Sequence, residues 1–332
     1  MKSPEDVWNS WHPLAILLSP LSLLFALISR MRRIAYQLHL LKVYEAPVPV
    51  IVVGNISVGG TGKTPLVIWL CRYLSRLGYS PGVVLRGYGG RAEHWPQQVR
   101  GDSDPQVVGD EAVVIAARSG CPVCAAPQRA EAARELLRIH RCDIIVSDDG
   151  LQHYALGRDI EIAVVDGQRG FGNGLRLPAG PLREPLSRLR SVDFVILNQP
   201  CKSGFHCIEL SAGALVNLAT GKRQPLASMR GQRVHAVSGI GNPARFYRLL
   251  SDAGLLVEKH SYADHHHYSE ADISFGDELT VIMTAKDAVK CRPYAKQNHW
   301  RLELNVQPSA DFIRQFSATL RLKSNSKRYR HG

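Results

Sequence analysis

The chain has 332 residues and a formal net charge of +12, and this length accommodates two domains or one large α/β unit. Hydrophobic residues make up 45% of the sequence, which is enough for a packed core and excludes wholesale disorder. The seven cysteines are irregularly spaced, so a disulfide framework is not expected and a reducing compartment is indicated. The positive charge favours an anionic partner, such as nucleic acid, an acidic membrane or a phosphorylated substrate.

An uncharged apolar segment begins the chain. From Val7 to Ser29 there is no Lys, Arg, Asp or Glu, and arginines follow within residues 30–33. About 20 apolar residues span a bilayer as a helix, and a basic cluster at its end belongs on the cytoplasmic side. We predict that residues 1–34 form a membrane-anchor helix, which either spans the bilayer or lies in its interface. A buried core helix is the alternative.

A strand, a glycine-rich loop and a helix then follow in the order of a phosphate-binding loop. Residues 47–55 read as a buried strand, and a helix is predicted from Pro65 to about Gly78. The usual first glycine of the loop is replaced by Ser57, but the later glycines let backbone N–H groups turn toward phosphate oxygens. The predicted nucleotide-binding residues are Gly59, Gly60, Thr61, Gly62, Lys63, Thr64 and Pro65.

A later hydrophobic strand ends in the acidic pair Asp148 and Asp149. A carboxylate at the end of a strand can hold Mg²⁺ directly or through water. In a phosphate-binding loop, the lysine reaches the β and γ phosphates and the next hydroxyl binds the metal. We therefore predict that Lys63 contacts the nucleotide and is a catalytic residue, and that Thr64, Asp148 and Asp149 bind Mg²⁺.

Two polar clusters have open roles on sequence alone. Asp110 and Glu111 begin a predicted helix, where a carboxylate either caps the helix or accepts the proton of an acceptor hydroxyl. Asp264 precedes three histidines at residues 265–267. Three roles are open for these histidines. They could bind a metal, form an Asp–His pair that orients a general base, or belong to a solvated loop.

Two further patterns have structural explanations. Cys121 and Cys124 form a single CxxC, which without a second pair does not predict a zinc site. The series Gly239, Gly241 and Ala244 matches a dinucleotide-binding spacing. An asparagine cap followed by proline at a helix start explains that series equally well.

The strand–helix alternation predicts a P-loop NTPase-like, doubly wound α/β sheet. The pattern breaks near residues 201–230 and then restarts. We predict a kinase core lobe over residues 35–222, a smaller α/β lobe over residues 223–322 and a basic tail over residues 323–332.

The motifs, taken in order, resemble the tetraacyldisaccharide 4′-kinases of lipid A biosynthesis. The matching segments lie between about residues 50 and 291 and include GNISVGGTGKTP, SDDGLQH and YADHHHY. The resemblance implies that ATP and Mg²⁺ are used to phosphorylate the 4′-hydroxyl of a lipid-linked glucosamine disaccharide 1-phosphate. It implies action at the cytoplasmic face of the inner membrane of a Gram-negative bacterium. We expect contact with the membrane lipid surface, no nucleic acid and no obligate protein partner.

The resemblance also implies roles for particular residues. Asp110 matches the candidate catalytic carboxylate of the family, and His265 matches its histidine partner. Other active-site matches, assigned here to substrate, are Glu111, Arg129, His153 and Glu184. The chain departs from the family pattern at Ala112, where proline is usual, and at Ala285, where glutamate is usual. Because of the second departure, no role is assigned to the TAKDAVK motif.

Three other functions are each compatible with part of the sequence. A kinase for a soluble alcohol fits the phosphate loop but not the apolar N-terminal segment. A membrane-bound nucleotide switch acting on a protein partner is the main alternative, although Val58 stands where many such switches carry a lysine. A basic nucleic-acid-binding module is not supported, because the sequence lacks interleaved aromatic and basic residues.

Overall fold

The computed structural model describes residue 8, residues 12–202 and residues 204–331. Part of the expected anchor segment 1–34 therefore lies outside the described residues. Within the described residues, the strands are β1 (Val50–Gly54), β2 (Pro81–Leu85), β3 (Gln97–Val99), β4 (Val123–Ala125), β5 (Ile144–Asp148), β6 (Ile160–Asp166), β7 (Phe194–Asn198), β8 (His206–Asn217), β9 (Arg223–Pro225), β10 (Arg233–Ser238), β11 (Leu256–Ser261), β12 (Thr280–Thr284) and β13 (His299–Pro308). The α-helices are α1 (Pro13–Gln37), α2 (Lys63–Arg76), α3 (Pro105–Val108), α4 (Asp110–Ser119), α5 (Arg129–Ile139), α6 (Pro243–Asp252), α7 (Ala285–Cys291) and α8 (Ala310–His331).

All of these strands join one sheet, in the order β11-β10-β12-β13-β8-β7-β6-β1-β5-β2-β4-β3, with β9 added beside β8. The antiparallel pairs are β3–β4, β8–β9 and β8–β13, and the remaining pairs are parallel. Parallel strands need crossover connections, which here place helices against the sheet. The predicted α/β sheet with largely parallel strands is confirmed.

Strand β1 lies at the centre of the sheet and is buried along its whole length. Ile51 and Val53 belong to one apolar cluster, which also contains residues of α2. Val50 and Val52 belong to a second apolar cluster. Successive side chains of a strand point to opposite faces, so a strand covered on both faces needs a continuous apolar run. The phosphate loop therefore leaves from a rigid central strand.

The second half of the chain contributes its own apolar core. The boundary expected after residue 222 falls at the start of β9. Beyond it, Val234 and Val237 of β10 belong to two further apolar clusters. Strand β8 pairs with β7 on one side and with β13 on the other. We propose that the two halves are lobes that share one continuous sheet.

Helix α1 carries the apolar segment predicted to meet a membrane. It has 25 residues, and its most apolar window has a mean hydropathy of 2.0 and is 11% buried, so its length and composition allow it to cross a bilayer. Leu17 and Leu23 are 74% and 73% exposed. This exposure contradicts the alternative of a buried core helix. Ser22 Oγ donates to the carbonyl oxygen of Arg176 at 2.8 Å and attaches α1 to the rest of the chain.

The basic C-terminal segment, expected as a tail over residues 323–332, continues α8 over its described part. Lys327 Nζ binds Asp159 Oδ2 at 2.7 Å, and the same oxygen accepts a hydrogen bond from the Val50 amide at 2.8 Å. The segment is thereby attached beside the start of β1.

Candidate active site

One large cleft opens at the carboxyl ends of the central parallel strands, where α/β sheets usually bind ligands. Its volume is about 1650 Å³. It is lined by the phosphate loop, by the end of β5, by arginines of α1 and by residues that follow position 222. The structure thereby brings together groups that are far apart in the sequence.

The glycine-rich loop passes directly into helix α2, which begins at Lys63, two residues before the predicted Pro65. Gly62 precedes the helix with a φ of 93°, a left-handed conformation that favours glycine. A Cβ at Gly62 would lie 2.6 Å from Asn198 Nδ2, and this amide donates to the Thr61 carbonyl oxygen at 2.9 Å. Residues 58–65 all line the cleft. The helix N-terminus and loop are placed to bind an anion.

Asp148, the last residue of β5, is buried beside α2. Thr64 Oγ1 donates to Asp148 Oδ2 at 3.5 Å, whereas Asp148 Oδ1 is buried without a hydrogen-bond partner among the described residues. Burial, together with the nearby Glu111 carboxylate, raises the pKa of Asp148 to about 7. A cation bound at this oxygen would stabilise the ionised form of Asp148, which burial disfavours.

Asp149 lies beside Asp148 but is held in its ionised form. Lys63 Nζ lies 3.5 Å from Asp149 Oδ1, and Arg183 Nη1 lies 2.9 Å from Asp149 Oδ2. Burial acts to raise the pKa of Asp149, but these two cations outweigh it, so the pKa lies well below its ordinary value. The phosphate loop and the acidic pair, predicted separately, therefore meet as expected, and Arg183 is an additional member that the sequence did not indicate.

Asp110 and His265 also meet, although 155 positions separate them. His265 Nδ1 lies 3.1 Å from Asp110 Oδ2, and Asp110 Oδ1 accepts a hydrogen bond from the Glu111 amide at 2.8 Å. Asp110 is thus the first residue of α4, with a side chain that accepts the amide of the next residue and also pairs with a histidine. It is 5% exposed, and His265 and Glu111 line the cleft in front of it. We conclude that a ligand in the cleft meets this pair from the side of His265.

The Asp110–His265 pair lies in a basic setting. Burial acts to raise the pKa of Asp110, but the hydrogen bond from His265 and the charges of Lys286 and Lys290 lower it overall. The hydrogen bond to Asp110 raises the pKa of His265 against the effects of burial and of Lys286. His266 pairs instead with Asp272, at 3.5 Å, so these two neighbouring histidines have different partners.

Lys286 is a site residue that the sequence analysis missed. Its Nζ lies 3.2 Å from Asp264 Oδ1, 3.6 Å from Glu111 Oε1 and 3.3 Å from His265 Nε2. It belongs to the TAKDAVK motif, which was set aside because of Ala285. The available signal was a lysine in the first turn of a helix that follows a predicted strand. The departure from the family pattern at Ala285 does not affect this lysine.

The comparisons with known proteins decide the family. The profile described as LpxK, tetraacyldisaccharide-1-P 4′-kinase, matches residues 14–321. A tetraacyldisaccharide 4′-kinase from Nitrosococcus oceani is 47% identical over 96% of this chain and 95% of its own length. The corresponding protein of Methylobacillus flagellatus is 49% identical over 91% of each chain. The chain belongs to the tetraacyldisaccharide 4′-kinase family.

A solved structure agrees with this result. The "apo" form of LpxK from Aquifex aeolicus, in complex with ATP, matches with a TM-score of 0.80 and 27% identity, over 94% of this chain and 99% of that one. The predicted fold is thereby confirmed. The predicted enzyme class, a phosphotransferase, and the predicted role of the family in lipid A synthesis are also confirmed.

Arg129 and His153 lie next to the acidic pair in the kinase cleft. Arg129 is 3% exposed, and its Nη2 donates to the carbonyl oxygens of Asp148 and Asp149 at 3.4 and 3.0 Å. Its Nε and Nη1 are buried without a hydrogen-bond partner among the described residues. Burial, with the charges of Arg129 and Arg86, lowers the pKa of His153 to about 3, so this imidazole is neutral near pH 7.

Glu184 has both carboxylate oxygens engaged. Gln152 Nε2 donates to Oε1 at 2.8 Å and Tyr154 OH donates to Oε2 at 2.6 Å. Arg188 Nε also lies 3.3 Å from Oε2. Because no oxygen of Glu184 is free of a partner, we propose that it supports the segment after Asp149 instead of binding substrate directly.

Proposed function

We propose that this chain transfers the γ-phosphate of ATP to the 4′-hydroxyl of a tetraacyldisaccharide 1-phosphate and forms the bis-phosphorylated lipid A precursor. The observation that carries this proposal is the convergence of three groups in one cleft. These groups are the phosphate loop, the acidic pair at the end of β5 and the Asp110–His265 pair. Family membership supplies the identity of the substrate.

The loop residues 59–65 bind the triphosphate of ATP in this proposal. Their backbone N–H groups and the α2 N-terminus supply an anion site, and Lys63 neutralises the β and γ phosphates. The Lys63 ammonium contacts Asp149 in the structure, so ATP binding transfers this cation from a carboxylate to a phosphate. Arg183 then retains Asp149 in its ionised form.

The residues present also fit Mg²⁺. Thr64, Asp148 and Asp149 would hold the ion, because a hydroxyl and two carboxylates are oxygen ligands of the kind that Mg²⁺ prefers. Asp148 Oδ1 has no hydrogen-bond partner among the described residues and the pKa of Asp148 is raised, so this oxygen would be available to a cation. Bound Mg²⁺ neutralises charge on the transferring phosphoryl group.

The Asp110–His265 pair accepts the proton of the 4′-hydroxyl. His265 lines the cleft, and the buried Asp110 carboxylate holds the imidazole in place and stabilises its protonated form. Lys286 contacts the outer nitrogen of the imidazole, so this ammonium must release Nε2 when the acceptor hydroxyl binds there. Asp264 and Glu111 are adjacent carboxylates that can hold the released Lys286.

Helix α1 places the enzyme at its lipid substrate. Its exposed leucines match a bilayer, and Arg30, Arg32 and Arg33 at its C-terminal end line the cleft. A tetraacylated substrate cannot leave the membrane cheaply, so the cleft must open at the lipid surface. We infer attachment to the inner membrane with the cleft on its cytoplasmic face, without an obligate protein partner.

The proposal is tested with ATP labelled at the γ-phosphate, the detergent-solubilised chain, Mg²⁺ and the tetraacyldisaccharide 1-phosphate. We expect the label to move to the lipid with the wild-type chain and not with Lys63→Ala. Label that appears only as free phosphate, at a rate unchanged by the lipid, would instead support a nucleotide switch and overturn the kinase proposal.

A further inference from the structure

A second group of chemically competent side chains lies outside the cleft, where the sheet ends at β11. His235 is on β10, and Glu258 and His260 are on β11. The parallel register pairs His235 with Glu258 and Val237 with His260. Glu258 and His260 are two residues apart and therefore share one face of the strand with His235. None of the three lines the catalytic cleft.

The potential ligand atoms of these residues converge. His235 Nδ1 lies 3.0 Å from His260 Nε2 and 3.2 Å from Glu258 Oε2, and all three atoms lie within 4.8 Å of one another. In a tetrahedral zinc site with bonds of about 2.0–2.1 Å, ligand atoms are separated by roughly 3.3 Å. Two of the separations are already close to this value without any ion.

The surrounding residues orient the ligands as those of metal sites do. Asp277 accepts a hydrogen bond from His235 Nε2, with its two oxygens at 3.1 and 3.2 Å. This carboxylate fixes a proton on Nε2 and leaves Nδ1 as the ring nitrogen that faces Glu258 and His260. Arg233 Nε holds the other oxygen of Glu258 at 2.7 Å. His235 itself is 3% exposed, so few water molecules can reach its ring nitrogens as alternative hydrogen-bond partners.

The three ligand atoms are of the type that binds a cation, since a carboxylate oxygen and an imidazole nitrogen without a proton both offer a lone pair. The Phe275 ring covers both imidazoles, with centroid distances of 4.1 Å to His235 and 4.0 Å to His260. It shields one side of the cluster from water. A metal ion between the three ligand atoms would accept a lone pair from each of them.

We propose that His235, Glu258 and His260 bind one Zn²⁺ ion, with water in the fourth position, and that the ion ties strand β11 to β10. Two imidazoles and one carboxylate form a ligand set that suits zinc. Strand β11 ends at Ser261, directly before the loop that carries His265. The ion therefore stabilises the strand from which the catalytic loop departs, and takes no part in phosphoryl transfer.

The test uses the full chain in detergent without a histidine tag, stripped of metal by a chelator that is then removed. Zn²⁺ is titrated by calorimetry in the presence of excess Mg²⁺, so that the oxygen-ligand site at Asp148 is occupied. We expect one Zn²⁺ per chain. His260→Ala should weaken binding by about 100-fold or abolish it, and Asp277→Asn should weaken it by about 10- to 100-fold.

Two further variants make the result specific. Glu258→Gln conserves the size of the side chain. Loss of zinc affinity in this variant, with an unchanged circular dichroism spectrum, would show that a ligand was removed without misfolding. His266→Ala removes another histidine that pairs with a carboxylate, and zinc affinity should be unchanged. Absence of stoichiometric Zn²⁺ binding by the wild-type chain would overturn the proposal. So would binding that survives in both His260→Ala and Glu258→Gln.

Cobalt gives an independent readout. Tetrahedral Co²⁺ absorbs visible light far more strongly than octahedral Co²⁺, so the stripped chain should develop intense visible bands on addition of Co²⁺, and His260→Ala should not. Zn²⁺ should also raise the thermal midpoint of the wild-type chain and leave that of His260→Ala unchanged. An equal shift in both proteins would place the ion elsewhere and refute the assignment.

Discussion

Replacement of Asp110 by asparagine separates the proposed catalytic role of this residue from its role at the helix start. Asp110 Oδ1 accepts the Glu111 amide at 2.8 Å, and an asparagine oxygen can accept the same hydrogen bond. The substitution removes the negative charge that faces His265 Nδ1 at 3.1 Å. We therefore expect the fold to persist and the proton-accepting function to be lost.

The expected loss can be bounded. General-base catalysis contributes about 10²- to 10⁴-fold, which corresponds to roughly 2.7–5.4 kcal/mol of transition-state stabilisation. Asp110 makes no contact with Lys63, Thr64 or Asp149 among the hydrogen bonds and ion pairs of the described residues, so the affinity for ATP should change less than about threefold. The structure therefore predicts a low kcat with nearly unchanged nucleotide binding.

The assay measures label transfer to the lipid and, separately, equilibrium binding of ATP. Asp104→Asn is the matched control, because Asp104 also accepts a backbone amide at a helix start, from Gln106 at 2.8 Å, but is exposed. It should retain wild-type turnover. If Asp110→Asn transferred phosphate within threefold of the wild-type rate, the proposed role of the Asp110–His265 pair would be refuted.

Three further predictions concern the neighbouring groups and α1. Lys286→Met should lower kcat/KM about 10- to 100-fold, because it removes a cation that lowers the pKa of Asp110 and holds two neighbouring carboxylates. A charge-assisted contact is worth about 1.5–3 kcal/mol, and unchanged kcat/KM would remove Lys286 from the site. His265→Gln tests the pH dependence of stability. Since the hydrogen bond to Asp110 raises the pKa of His265, its stabilising contribution is present below pH 6.5 and is lost as pH rises through the folded-state pKa. The thermal midpoint should therefore fall more at pH 6 than at pH 9, and an equal fall at both would contradict the predicted shift. Replacement of the exposed Leu17 and Leu23 by serine should weaken flotation with anionic vesicles while activity toward a detergent-dispersed lipid persists; undiminished flotation would refute membrane contact through this face.

The sequence determined the local elements of this enzyme. The apolar run before Gly54, the glycines of the loop and the Lys63–Thr64 pair act over a few residues, and their physical meaning depends mainly on backbone geometry and periodicity. The same holds for the acidic pair at the end of β5, because a strand end is a local feature. The uncharged N-terminal segment also predicted an apolar helix, although only the structure showed that its leucines are exposed.

The tertiary structure decided which side chains meet. The choice between a purely structural role for Asp110 at a helix start and the proposed catalytic role depends on His265, which arrives from the other half of the sheet. Lys286 and Arg183 entered the site in the same way, and Glu184 proved to have both oxygens occupied. The His235 cluster depends on the register between β10 and β11. Such long-range contacts follow from strand order and crossover connections, which no short stretch of sequence encodes.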